Sequence, residues 1–450
     1  MHYNKYIALF AALIVATTSF TGCLSGNEVE DESAGLAYVT GATLGSLYRL
    51  LPYQQPDGTD SIVKQSVSGS LYPLSIDQLN HRIYNTDSLP THTDLSKVVF
   101  NQFNVKGTVT LKSLTSEKDT TFNMKDSTDM RQPREITVHS LDGNSQVTYT
   151  IELRKHQEEG DTLRWHLKTV SGLPSLTERR LFVHGDSLIV WGKQDGQAVG
   201  FWTMRSAPAE WHALAGSGIP EPLSIVQRGA SFYGLTATGI VSTTDGSLWR
   251  ETAPRPAGLT MLVGATTRSL YAISADGFMR STDEGATWTR EDTPSAAAIP
   301  LTGLTAVSRP TAANASVEEI LLVGQAADGT TTVWKRNEMR EAELEDVATF
   351  EWSQIQDKRN NPYAVPNLTN TSLAFYDGGV ILTGIKEQGK AGLYHCIDMG
   401  RTWNPYTLTL PALDSSEDIV MTTDSDNFIW VLSGTTPQLW QGRLNRLGWK

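Results

Sequence analysis

The side chains with the widest chemical scope are scattered along this chain. Nine histidines in 450 residues show no His-x-His or His-Glu-x-x-His spacing, and the two cysteines, Cys23 and Cys396, lie far apart. No transition-metal ligand set is legible from that arrangement. The best run of oxygen ligands is Asp424-Ser-Asp426-Asn427, whose acceptors alternate as they do in calcium loops, but the downstream Gly and bidentate Glu are missing. It reads as a solvated turn. Glycoside hydrolysis needs two carboxylates facing each other across the bond, and 49 acids nominate no pair. There is no Gly-x-Ser-x-Gly elbow, phosphate loop or dinucleotide fingerprint. We therefore assign no catalytic residue, no metal ligand and no cofactor. Twelve Trp and fourteen Tyr could offer stacking faces to sugar rings, yet their positions at the ends and middles of repeating units mark them first as core.

One pattern does recur. Ser281-Thr-Asp283-Glu-Gly285-Ala-Thr287-Trp288 follows Ser-x-Asp-x-Gly-x-Thr-Trp at every specified position. Cys396-Ile-Asp398-Met-Gly400-Arg-Thr402-Trp403 repeats it with Cys first, and Ser242-Thr-Thr244-Asp-Gly246-Ser-Leu248-Trp249 is a worn copy. Its chemistry is local: hydroxyl and carboxylate bond turn backbone, Gly supplies φ > 0, and Trp packs beneath. The pattern resembles the Asp-box, or BNR repeat, of sialidase-like β-propellers. That resemblance implies a fold and not an activity. Sialidases of this kind also resemble one another in an arginine triad, whose first member lies in a Phe/Tyr-Arg-Ile-Pro segment. No such segment occurs here, and the nearest strings, Pro254-Arg255-Pro256 and Ser308-Arg309-Pro310, lack the pattern. The reading leans against an enzyme.

The elements that carry these turns are strands. Residues 173–450 repeat in units that end at Trp211, Trp249, Trp288, Trp352, Trp403 and Trp449. Ser231–Gly239 and Ser269–Gly277 align as an inner strand and hairpin before two of the turns. At roughly 45 residues per blade this predicts a six-bladed β-propeller, with seven as the alternative. Inner strands are expected at Ile189–Trp191, Ile320–Val323, Val380–Leu382 and Phe428–Leu432. A charged insertion at Asn337–Asp346, helical in character, stretches the fourth unit. Residues 35–172 alternate apolar and polar at Ser61–Val67, Tyr72–Ile76, Val105–Leu111, Ile136–Ser140, Val147–Leu153 and Leu163–Leu167, which predicts an immunoglobulin-like β-sandwich. The whole is all-β.

Residues 1–22 read as a signal peptide, with Lys5 before an apolar run from Tyr6 to Val15. Phe20-Thr21-Gly22-Cys23 resembles a lipobox, which implies a diacylglycerol on Cys23 and a lipid anchor in the membrane. Residues 23–34 form an acidic tether. Its acids, the Ile83-to-Pro90 segment and the hairpin near Pro133–Ile151 resemble those of outer-membrane lipoproteins of the Bacteroidota, including a family of unknown function. That resemblance implies display at the cell surface. A formal charge of −12 argues against nucleic acid as a partner. The expected role is a binding platform for a glycan or another surface protein, with a divergent sialidase-like glycoside hydrolase or a structural component of an outer-membrane complex as the alternatives; no oligomeric state is legible.

Overall fold

The computed structural model describes residues 34–449, apart from 117, 295–297, 343, 345–349, 356–360, 406–407 and 414–417. Cys23, the signal segment and all of the tether except its last residue lie outside the described residues. The chain forms two compact units that divide at Glu159/Gly160.

In the first unit, Tyr38–Leu44 pairs with Phe100–Lys106. A six-stranded sheet runs in the order Leu74–Asp77, Arg82–Asn85, Gln146–Glu152, Arg134–His139, Thr108–Leu111, Thr120–Thr121. Val39 and Phe100 from the small sheet share one core with Ile83, Val138, Tyr149 and Ile151 from the large one. The sequence predicts one strand across Val105–Leu111; the structure breaks it at Gly107. There φ is +121°, and a Cβ would lie 2.2 Å from the His139 carbonyl oxygen. Only glycine allows the chain to leave one sheet and enter the next at this point.

The second unit contains, among the described residues, six sheets of three or four strands. Their innermost strands are Thr177–His184, Val226–Arg228, Leu259–Ala265, Thr302–Pro310, Thr369–Tyr376 and Val420–Thr423. From Val226–Arg228 to Val420–Thr423, each touches the innermost strand of the next sheet. Val420–Thr423 touches Thr177–His184, and that strand touches the 3-10 turn Pro222–Ser224, which leads into Val226–Arg228. The second strand of each sheet is buried on both faces. In Val317–Gln325, Ile320 and Leu322 pack toward the third sheet, whereas Leu321 and Val323 pack toward the fifth. Double burial explains why such strands read as unbroken apolar runs rather than as alternation.

Two sequence expectations change here. The runs taken as inner strands, from Ile189–Trp191 to Phe428–Leu432, lie in or against the second strand of their sheets; a further strand, which faces a cavity on one side, precedes each of them. Leu163–Lys168, placed by alternation in the first domain, pairs antiparallel with Gln438–Leu444 and becomes the outermost strand of the last sheet. The domain change thus falls near 160 rather than 172. Asn337–Met339 extends the strand Thr331–Met339 and is not helical; residues 343 and 345–346 of that insertion lie outside the described set. Trp449 is 40% exposed, unlike Trp211, Trp249, Trp352 and Trp403, which are buried. Among the described residues no helix is long and apolar enough to cross a membrane.

Candidate functional site

The recurring turns are built by short-range bonds. Ser281 Oγ donates to Asp283 Oδ1 at 2.8 Å and accepts from Gly285 N at 2.9 Å. Asp283 accepts Thr287 N at 2.9 Å and Thr287 Oγ1 at 2.6 Å. The Thr287 hydroxyl and amide hold the Asp283 carboxyl below the usual carboxylate range. Trp288 Nε1 donates to Gly285 O at 2.9 Å. In the second copy sulfur replaces the hydroxyl: Cys396 Sγ donates to Asp398 Oδ1 and accepts from Gly400 N, both at 3.0 Å. Thr402 N donates to Asp398 at 2.8 Å, and Trp403 Nε1 to Gly400 O at 3.0 Å. Burial and the adjacent Asp398 push the Cys396 thiol up to about 11, so it stays protonated and can donate.

The third copy is one residue tighter than the sequence alignment implies. Thr243, not Ser242, supplies the hydroxyl, bonding Asp245 Oδ1 at 2.8 Å and Gly246 N at 3.1 Å. Asp245 follows by two residues and Gly246 by three, where the other turns place Gly at four. Trp249 is buried, and its Nε1 has no hydrogen-bond partner. Gly246, Gly285 and Gly400 have φ of +79°, +94° and +97°. A Cβ on Gly285 would meet Ile240 at 2.9 Å, and one on Gly400 would meet Leu321 and Val333 at 2.9 Å, in each case on the preceding sheet. These turns fasten one sheet to the one before it. None of their residues lines the cavity described next.

Asp424 is not a solvated turn residue. Its side chain is 1% exposed and pairs with Arg205 at 2.9 Å. Oδ2 also accepts Trp430 Nε1 at 2.7 Å, and Oδ1 accepts the amides of Asp426 and Phe428 at 2.9 Å. With its lone pairs so committed, the run holds a hairpin. Among the described residues no group of His, Cys, Asp or Glu is placed to hold a metal ion. Tyr233, Tyr271 and Trp430 are buried, as core aromatics should be.

The site that sequence reasoning missed is a cavity of about 880 Å³ walled by the innermost strands of all six sheets. Among the described residues three carboxylates line it, and each is engaged. Glu178 pairs with Lys193 at 2.8 Å. Asp418 lies 3.3 Å from Arg179, with burial pushing its carboxyl up and the Arg179 guanidinium down. Glu318 accepts Ser308 Oγ at 2.8 Å and Thr267 N at 2.9 Å. Among the described lining residues there is no Tyr, His or Cys. Arg180 also lines this space, beside Arg179; strict alternation does not hold here, because the strand pairing is irregular between Thr177 and Arg180 and Glu178 has φ +50°. The available signal was Glu178-Arg179-Arg180 within an otherwise apolar strand, Leu176 to Val183.

The sequence from 159 to 450 matches the family described as the DUF6242 beta propeller domain, and residues 45–153 match the Domain of unknown function (DUF6242) N-terminal domain. The second unit is thus a β-propeller domain. The chain belongs to the DUF6242 family, with that family's N-terminal domain ahead of its propeller. No curated protein matches the sequence. Among solved structures, AofleA from Arthrobotrys oligospora aligns at 12% identity over 62% of this chain and 86% of its own, with a TM-score of 0.39. The Aleuria aurantia lectin, described as a six-bladed β-propeller with a fucose recognition mode, aligns at 10% identity over 60% and 70%, TM-score 0.28. Trypanosoma rangeli sialidase aligns at 9% identity over 62% and 57%, TM-score 0.37. Likeness at this level carries no information about ligand or activity.

Proposed function

We propose that this protein is an outer-membrane lipoprotein, anchored through a lipid on Cys23, that presents a six-bladed propeller as a binding platform for a glycan or another surface protein. The DUF6242 N-terminal domain would serve as an immunoglobulin-like spacer, and the three Gly turns as Asp-boxes that fix the blades. The observation that supports binding over hydrolysis is the state of the cavity carboxylates: among the described lining residues Glu178, Glu318 and Asp418 all have partners, and none of them forms a free acid–base pair facing the 880 Å³ space. A cavity of that size suits a small ligand or the tip of a larger one.

The test has two arms. The full-length protein is applied to a glycan array and, separately, incubated with fluorogenic sialosides and other glycosides between about pH 4 and pH 8, the range over which carboxylate acid–base pairs work. Retention on defined glycans without turnover is the expected result. Turnover abolished by Glu318→Gln or Asp418→Asn would replace the platform with an enzyme. For the anchor, metabolic labelling with a fatty-acid analogue should mark the wild type and leave Cys23→Ala unmarked; equal labelling removes the lipid.

A further inference from the structure

Among the described lining residues, which include the cations Arg179, Arg180 and Arg228, Arg180 alone has no acidic partner. Arg179 has Asp418, and Arg228 has Glu284 at 3.0 Å. The Arg180 guanidinium instead uses Nη2 to donate to two backbone carbonyls, Leu223 O at 3.1 Å and Leu304 O. Leu223 precedes the second sheet and Leu304 belongs to the fourth, so the side chain reaches across the cavity. Its Nε is shut away from solvent with no hydrogen-bond partner, and Nη1 donates to nothing among the described residues. Burial pushes the group down to about 10, and among the described residues no neighbouring charge offsets the cost. The described cavity carboxylates are engaged elsewhere: Glu178, two residues away, pairs with Lys193, Asp418 with Arg179, and Glu318 with Ser308, four residues beyond Leu304 on the same strand and therefore about 13 Å further along.

Charged groups removed from water are normally paired, because two carbonyl dipoles do not replace the hydration of a full charge. A guanidinium also has five donors in a planar fork, suited to oxyanions. We propose that the propeller cavity is an oxyanion site in which Arg180 receives the carboxylate, sulfate or phosphate group of a small ligand. The ligand would supply the missing counter-charge and engage the donors that backbone carbonyls leave unused. This goes beyond the platform reading and does not depend on it: the site would exist whether the outer partner is a glycan or a protein. The opposing possibility is that Arg180 is only a strut between sheets, held by Leu223 and Leu304.

Thermal unfolding of the full-length protein decides between them, with sodium sulfate, inorganic phosphate and glucuronate as probes against chloride at equal ionic strength. A ligand that binds only the folded state raises Tm in a saturable way. Wild type should show saturable stabilisation by at least one oxyanion, and Arg180→Met should weaken the apparent affinity about tenfold or more, as expected when a charge-assisted hydrogen bond is lost. Tighter binding of glucuronate than of both inorganic ions points to a carboxylated sugar; the reverse order points to a sulfate or phosphate group. No saturable stabilisation of wild type by any probe, or equal stabilisation of Arg180→Met, overturns the site and leaves the strut. Should Arg180→Met not fold, crystals of wild type soaked in selenate provide the second measurement. An anomalous peak within hydrogen-bond distance of Arg180 is expected, and an empty cavity at full soak overturns the proposal.

Discussion

Replacing Gly400 by Ala separates two effects that the structure assigns to the same atom. Gly400 has φ +97°, and a Cβ there would lie 2.9 Å from both Leu321 Cδ1 and Val333 Cγ1 on the preceding sheet. Gly378 supplies the control, with φ +73° and nothing within 4 Å of its Cβ position. Placing an L residue in the left-handed region costs about 1–2 kcal/mol. The smaller entropy of the unfolded alanine chain returns about 0.4–1 kcal/mol. Gly378→Ala should therefore lose roughly 1 kcal/mol. Gly400→Ala carries the same backbone cost plus overpacking, which adds about 1–3 kcal/mol in a closed core. Its loss should come to roughly 2–4 kcal/mol. Equilibrium urea unfolding of both variants measures the gap, expected at about 1–3 kcal/mol between them. Adding Val333→Ala to Gly400→Ala should make the two changes non-additive by about 0.5 kcal/mol or more, as contacting residues are. Equal losses in Gly378→Ala and Gly400→Ala, with no coupling to Val333, would refute the reasoning that this turn is seated against the neighbouring sheet.

Other outcomes follow from the same geometry. Glu338 is buried and accepts Arg280 Nη2 at 2.5 Å together with Ser269 and Thr266 hydroxyls; Glu338→Ala should cost about 3–5 kcal/mol by stranding Arg280, with Glu338→Gln between it and wild type in thermal unfolding. The raised Cys396 thiol should leave it inert to a disulfide reagent at about pH 8 until denaturant is added, and rapid labelling of the native protein would contradict its burial. The Asp283 carboxyl is lowered by its Thr287 bonds, so its contribution is fully present above the ordinary carboxylate range and is lost as pH falls through the lowered folded value. Tm should then fall more steeply on acidification for wild type than for Asp283→Asn; parallel curves would show that the carboxylate contributes nothing to the turn.

The parts legible in the sequence are those whose determinants lie within a few residues. Ser281, Asp283, Gly285 and Thr287 bond one another across four positions or fewer, so spacing alone specifies the turn. Even there, the reading failed by one residue at Thr243, because a Thr–Thr pair offers two hydroxyls and only the three-dimensional turn selects one. Runs such as Ile320–Val323 are visible because burial on both faces demands apolar residues at every position. Val226–Arg228 and Thr369–Tyr376 escape notice because only part of each is buried against a hydrophobic neighbour, while the rest faces the cavity.

The sequence by itself determined the all-β class, the repeat of the second domain, its turn chemistry, and the expectation of export on a lipid. These follow from local hydrogen bonding, from periodicity and from the composition of the first residues, none of which needs a distant partner. Tertiary structure alone decided that Leu163–Lys168 pairs with Gln438–Leu444 across nearly the whole domain, and that Glu338 and Arg280 meet between sheets. It also decided that Arg180 reaches Leu304, 124 positions away, inside a cavity that no single segment defines. The physical reason is common to all three. Edge pairing and burial are properties of which strands become neighbours, and a strand's own residues state only that some neighbour is required.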